Sequence, residues 1–230
     1  MPPSPASSPA HPKEEWRRGC QRPAFAPGQL AQTLRRQDFY RRSRRLLVGP
    51  GDLLSQLRIN ALLDGKELLM PAPGLRDGFY LLRPYSIAFP DLPHAVSYKG
   101  LSRFGRRLPT AKLAGLDIEL LIDQALLADP ASGWLLDEGQ GFFDLSLAIL
   151  ATAGALAVEH RVVAVPAALA AGSRWPVDPW DIRADYLLVP GDCQACGKKG
   201  ASVDYQLHAE HLTATRIRRL TPLWQLLPKK

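Results

Sequence analysis

Apolar runs alternate with helical patterns along most of the chain. Four runs are rich in leucine, isoleucine or valine and are bounded by prolines, glycines or charged residues, as buried strands are: Leu68–Met70, part of Leu116–Leu127, Arg161–Val165 and Tyr186–Val189. Strands that alternate with helices are typical of an α/β domain. The pattern therefore predicts a single α/β fold with a central, mostly parallel sheet and helices on both faces.

Helical periodicity marks four further segments. GQLAQTLRRQDFYRRSRR and QLRINALLDG follow one another before the first predicted strand, and Asp64-Gly65 is a helix stop. The longest apolar run, Leu145 to Val158, has 14 residues, which is too few to span a bilayer and predicts a buried helix. TRIRRLTPLWQLLPKK predicts an amphipathic tail. No membrane-spanning segment is expected.

The composition of the chain restricts the compartment and the binding partners that are expected for the protein. Proline and serine dominate residues 1–12, which predicts a disordered leader without the apolar core of a signal peptide. Three cysteines argue against a disulfide scaffold and favour a reducing cytoplasm. The net charge of +7 favours anionic partners such as nucleotides.

Six arginines lie in RRQDFYRRSRR, Arg35 to Arg45, together with Phe39 and Tyr40. Arginines beside aromatics can bind single-stranded nucleic acid by charge and stacking. A solvated helix face is the favoured alternative, because no nucleic-acid-binding motif accompanies the cluster.

One loop contains candidate binding and metal-ligating residues: LLDEGQGFFD, Leu135 to Asp144. Gly139 and Gly141 would let the backbone approach a phosphate, or would permit a turn with positive φ. Phe142 and Phe143 could line a pocket or belong to the core. Asp144 could hold magnesium or cap the helix that is predicted to begin at Leu145.

Four segments in order resemble the 5-formyltetrahydrofolate cyclo-ligase (methenyltetrahydrofolate synthetase) family, nearest its "domain-containing" branch: KEEWR, RINALLDGKELLMPAPGLRDGF, LLIDQALLADPASGWLLDEGQGFFD and WDIRADYLLVP. The resemblance covers residues 13–190 and implies a cytosolic, three-layer α/β domain. It also implies ATP- and magnesium-dependent conversion of 5-formyltetrahydrofolate to 5,10-methenyltetrahydrofolate. Residues 191–230 would then be a C-terminal extension.

The resemblance also implies roles for individual residues, since phosphoryl transfer depends on positioning and on cations around the phosphates. ATP would contact Lys13, Arg17, Gly139, Gly141 and Phe142, magnesium would bind Asp144, and the substrate would contact Arg58 and Lys66. Lys13 and Arg17 lie one helical turn apart and could face one anion, or could form a solvated helix start. Arg58 and Lys66 could equally be surface residues.

The loop departs from the family pattern. Leu135 stands where the family has arginine, Asp137 replaces a glycine, and Glu138 replaces a lysine. Trp180 stands where a histidine is common, beside a retained Asp181. Two hypotheses therefore stay open: an altered ligase-like enzyme, or a non-catalytic relative that binds a nucleotide, a nucleic acid or a protein.

The extension contains a possible structural zinc site. Cys193 and Cys196 form a CxxC, and His208 and His211 follow. Four such ligands suit tetrahedral zinc, although the two residues between the histidines are fewer than the usual three to five. A turn with solvent-exposed histidines is the alternative.

Overall fold

The computed structural model describes residues 12–21, 25–172, 175–197 and 205–227. Almost all of the predicted leader, residues 1–12, lies outside these ranges. The described strands form one nine-stranded sheet. They are β1 (Arg45–Val48), β2 (Glu67–Pro71), β3 (Phe79–Leu82), β4 (Arg106–Leu108), β5 (Ile118–Ala128), β6 (Leu135–Leu136), β7 (Leu156–Leu169), β8 (Tyr186–Val189) and β9 (Asp192–Ala195).

The strand order is β4-β3-β2-β1-β5-β7-β8-β9, and β6 pairs with β5 outside this path. The middle strands β2, β1, β5, β7 and β8 run parallel to one another. The outer strands β3, β4 and β9 are antiparallel to their neighbours. The predicted α/β class, with a mostly parallel centre, is confirmed.

Helices cover both faces of the sheet. They are α1 (Lys13–Arg17), α2 (Pro27–Arg35), α3 (Asp38–Arg42), α4 (Ser55–Leu63), α5 (Leu92–Ala95), α6 (Leu101–Phe104), α7 (Phe142–Thr152), α8 (Ala214–Arg219) and α9 (Thr221–Leu226). The α2, α4, α5 and α6 helices pack on one face, and α7 and α9 pack on the other. Of the helices in the described ranges, none is long and apolar enough to cross a membrane.

The two-residue period of the strands divides the core into these two layers. In β1, Leu46 and Val48 pack with the α2 and α4 helices, whereas Leu47 between them packs with α7. In β5, Ile122 and Leu121 divide in the same way. The central strands are apolar on both faces because each face is covered by helices.

Two element boundaries differ from the sequence-based expectation. The arginine-rich segment that was expected to stay helical breaks at Gln37 and Ser43, both extended, and then enters β1. The apolar run from Leu145 to Val158 is not one helix. The α7 helix begins three residues earlier, at Phe142, and a turn at Gly154 (φ +66°) leads into β7. Apolar periodicity alone cannot separate a buried helix from the buried strand that follows it.

The predicted C-terminal extension, residues 191–230, is joined to the same core. The β9 strand pairs with β8 along its whole length. Leu220 and Leu223 lie in the core layer that contains α7, and Leu223 is 0% exposed. The residues after 190 therefore complete the apolar core that the preceding segments begin.

Candidate functional site

A cavity of about 540 Å³, called the main cavity below because it contains the glycine loop, lies where the parallel strands β1 and β2 end, beside β5. Ligands of open α/β sheets bind at this end of the strands. Its walls come from the Gly49–Leu53 segment, the Pro71–Leu75 segment, the glycine loop and the first turns of α7. The charged side chains of the described lining are all carboxylates: Asp52, Asp123, Asp137 and Glu138.

Asp123 stands in the wall of this cavity, two residues beyond the buried Leu121 on the same face of β5. Its Oδ1 accepts a hydrogen bond of 2.8 Å from the Gln124 amide. Burial raises the pKa of the Asp123 carboxyl to about 7, against the favourable field of Arg58. The group therefore changes charge near neutral pH.

Arg58 is buried outside the described cavity lining and holds the loop that follows β1. Its side chain is 1% exposed, and one guanidinium nitrogen donates to the carbonyl oxygens of Gly49 and Gly51. Burial lowers the pKa of Arg58 to about 10. The structure places this predicted substrate ligand outside the described lining, where it fixes the loop after β1.

Arg17 and Asp137 connect α1 to the glycine loop. The Arg17 guanidinium donates to the Asp137 carboxylate at 2.8 Å and to the Asp137 carbonyl at 3.0 Å. The second carboxylate oxygen of Asp137 accepts from the Gly141 amide at 2.9 Å. The Asp137 carboxylate is thus bonded to the loop amide and the cation that could otherwise bind an anionic ligand.

Gly139 and Gly141 both have positive φ, +90° and +59°. Both therefore adopt the turn conformation that was one of the two alternatives in the sequence. A side chain at Gly139 would press on the Arg17 guanidinium. Phe142 lines the main cavity, and the Arg216 guanidinium lies 5.7 Å from the centre of its ring.

Lys13 is enclosed and is 3% exposed. Its ammonium group forms ion pairs with Asp178, at 2.6 Å, and with Asp181. Burial raises the pKa of the Asp181 carboxyl above its ordinary value. Lys13 therefore joins α1 to the segment before β8 and is already neutralised by carboxylates.

Asp144 is the third residue of α7, and the residue at the N-cap position is Gly141 in a left-handed conformation. Burial, followed by the charges of Asp137 and Asp181, raises the pKa of Asp144 well above its ordinary value. Asp144 lines a second cavity of about 330 Å³, which shares Gly141 with the main cavity.

Trp180 and two histidines form the other side of the second cavity. The ring centres of Trp180 and His211 lie 4.6 Å apart, and those of Trp180 and His208 lie 6.1 Å apart. The extension thus places imidazole rings beside the tryptophan that stands where the family has a histidine. Sequence spacing gave no signal for this contact.

Lys66, the other predicted substrate ligand, is absent from the described lining of either cavity. Its ammonium donates to the Ser43 carbonyl at 2.6 Å and lies 4.5 Å from the centre of the Tyr40 ring. Burial lowers its pKa. The contacts of Lys66 hold the chain where it enters β1.

The four predicted zinc ligands are not brought together. The described ranges contain no group of three or more His, Cys, Asp or Glu side chains that could hold a metal ion. Cys193 and Cys196 belong to the β9 region, and burial raises their pKa to about 12 and about 11. The zinc site therefore stays a prediction without support from the geometry.

Several members of the arginine cluster have carboxylate partners. Arg35 pairs with Asp64, Arg45 pairs with Glu67, and Arg41 lies 3.5 Å from Asp38. These pairs fit the solvated helix face better than an open strip of cations for nucleic acid.

The residues present do not fit a magnesium-bound triphosphate as they are arranged. Lys13 and Arg17 both face carboxylates, and the Gly141 amide is bonded to Asp137.

Sequence comparison finds curated relatives, while no family model matches the chain. The human methenyltetrahydrofolate synthase domain-containing protein is 29% identical over 192 residues, which are 77% of this chain and 47% of that protein. The mouse protein of the same name is 30% identical over 162 residues, 64% of this chain and 40% of that protein. The chain thus spans about half the length of the curated relatives that it matches.

Structural comparison finds the NMR structure of Aquifex aeolicus 5,10-methenyltetrahydrofolate synthetase, with 19% sequence identity and a TM-score of 0.49. The match covers 87% of this chain and 91% of the Aquifex chain. The sequence relatives support the resemblance to the methenyltetrahydrofolate synthetase (5-formyltetrahydrofolate cyclo-ligase) family that the four motifs carry: the chain is similar to proteins of the domain-containing branch.

Proposed function

We propose that the chain is a member of this family that binds a folate-type small molecule in the main cavity without ATP-dependent turnover. The observation that carries the proposal is the charge of the cavity: within the described lining, every charged side chain is a carboxylate. The proposed location is the cytoplasm, as the resemblance implies.

The lining disfavours a triphosphate. Two unit charges 4 Å apart interact with about 4 kcal/mol at an effective dielectric constant near 20. Glu138 and Asp137 line the cavity beside the glycine loop, where phosphate oxygens would approach. Magnesium would reduce this repulsion, yet the described residues offer no cluster of ligands to hold it.

The same lining suits the heterocycle of a folate, which carries no phosphate and has several N–H donors. Phe142, Phe143 and Tyr98 supply flat apolar surface, and the cavity volume of about 540 Å³ lies within the usual range for small-molecule sites. The anionic glutamate tail of a folate would leave the cavity towards the surface of a chain with net charge +7.

The ATP- and magnesium-dependent cyclo-ligase reaction is the second candidate. One observation favours it: Arg17 reaches the glycine loop, as the resemblance implies, and contacts Asp137 at 2.8 Å. If a nucleotide displaced Asp137 from Arg17, the loop would regain a cation for the phosphates. This candidate therefore requires the Arg17–Asp137 pair to open.

Calorimetric titration with 5-formyltetrahydrofolate, followed by an absorbance assay for 5,10-methenyltetrahydrofolate, separates the two candidates. We expect binding of the folate that is unchanged by added ATP and magnesium, and no product above the uncatalysed rate. Product formation that depends on ATP would establish the ligase instead. Absence of folate binding under both conditions would reject both candidates.

A further inference from the structure

We propose that Asp123 is the specificity-determining residue of the main cavity, where its carboxylate accepts two neighbouring N–H groups from the edge of an aminopyrimidine ring. The inference rests on the proposed function, because a folate heterocycle carries such an edge. It goes further by naming the contact and by excluding otherwise similar rings that lack the amino group.

The carboxyl group of Asp123 is available to a ligand. Its Oδ1 accepts from the Gln124 amide, whereas Oδ2 accepts no hydrogen bond from the residues that the structure describes. The side chain lies in the cavity wall, so the open oxygen is within reach of a bound molecule. The Asp123 side chain is partly exposed in the cavity, so a ligand donor can take the place of solvent on the open oxygen.

The loop after β1 is shaped around this carboxyl group. A β-carbon at Gly49 would collide with the carboxyl group of Asp123, and one at Gly51 would collide with the side-chain amide of Gln124. Arg58 fixes the same loop through the carbonyl oxygens of both glycines. The two glycines therefore leave room for the polar groups, and Arg58 keeps the loop in position.

A planar pair of N–H donors matches the two oxygens of a carboxylate, as the fork of an arginine does. Phe142 and Phe143 border the same cavity and give a flat ring apolar surface to pack on. A ring that presents a carbonyl oxygen at the same edge would face the carboxylate with like partial charge. The site should therefore distinguish an amino group from an oxo group.

The charged and titratable groups around Asp123 predict how affinity depends on pH. Arg58 on α4 favours its ionised form, and Asp137 and Glu138 on the glycine loop oppose it. Asp52 and Tyr98 complete the neighbouring lining, and Tyr98 keeps its proton because burial raises its pKa to about 12. Since the pKa of Asp123 is about 7, its ionised fraction grows about tenfold between pH 6 and pH 8. Affinity should rise by a similar factor.

The test uses two small probes on the full chain: pterin, which carries a 2-amino group, and lumazine, which carries an oxo group in its place. Titration followed by tryptophan fluorescence should give pterin an affinity at least tenfold higher than lumazine. Asp123→Asn should abolish both this preference and the pH dependence. The exposed Asp77→Asn removes the same charge outside the described cavity linings and should leave both unchanged.

Equal affinity of the unmodified protein for the two probes, or a preference that survives in Asp123→Asn, would overturn the proposal. The melting temperature of Asp123→Asn verifies that the variant folds. Titration with 5-formyltetrahydrofolate distinguishes failure of the proposed Asp123 contact from failure of the proposed function. Folate binding without discrimination between the probes rejects the role of Asp123 and leaves the proposed function standing, whereas loss of folate binding rejects the function itself.

Discussion

Replacing Leu223 by alanine should lower the free energy of unfolding by about 2 to 5 kcal/mol, the usual cost of removing a buried leucine side chain. Leu223 lies on α9 and is 0% exposed, in the core layer that contains α7. A chain of this size loses about 2 to 4 °C of melting temperature per kcal/mol. Chemical denaturation and thermal melting would both measure the effect.

The matched control is Leu63→Ala, the same substitution at the last residue of α4, where the side chain is 40% exposed. We expect this change to stay within about 0.5 kcal/mol of the unmodified protein. If both variants were equally stable, the C-terminal segment would be only loosely attached, and the extension would not belong to the core.

Replacing Asp137 by glycine and Glu138 by lysine should tighten the binding of ATP with magnesium by at least about tenfold, or ~1.4 kcal/mol. The double change removes Asp137, one of the two carboxylate partners of Arg17 beside Glu14, and frees the Gly141 amide. It also removes two negative charges from the cavity lining and adds one positive charge. Salt screening and rearrangement of the loop keep the expected gain below the full Coulomb energy.

Calorimetric titration with ATP and magnesium measures this gain, and Glu159→Lys is the control for the charge reversal at Glu138. Glu159 is exposed on β7, outside the described cavity linings, so its reversal changes net charge without touching the glycine loop. Micromolar binding by the unmodified protein that the double change weakens would contradict the prediction. In that outcome the two acids would hold the metal.

Apolar periodicity predicted four strands of the sheet and missed the central strand β1 as well as short strands nearer the edges. All four strands expected from apolar runs are present, and Tyr186–Val189 matches β8 residue for residue. These strands are buried on both faces, which makes them continuous apolar runs. The strand β1 was missed because Arg44 and Arg45 extend the polar arginine segment up to its first residue. The short strands β3 and β4 lie near the sheet edge, where Arg106 and Arg107 are exposed.

The sequence predicted the position of the candidate site but not the ion pair between Arg17 and Asp137. Glycines before an aromatic pair located the loop that borders the main cavity. The sequence could not reveal that Asp137 bonds Arg17, because the two residues lie 120 positions apart. Asp123 interrupts the apolar run that forms β5. An acidic residue inside a strand of buried residues was the signal that could have identified it.

The ion pair between Lys13 and Asp181 joins residues 168 positions apart, which sets an order of events during protein synthesis. At about 5 to 20 residues per second, the ribosome needs on the order of 10 to 30 s to add Asp181 after Lys13. During that interval the α1 segment of the nascent chain has no carboxylate from the Asp178–Asp181 region to dock against. Docking of α1 through this ion pair is therefore a late event, which becomes possible only after Asp181 has been added.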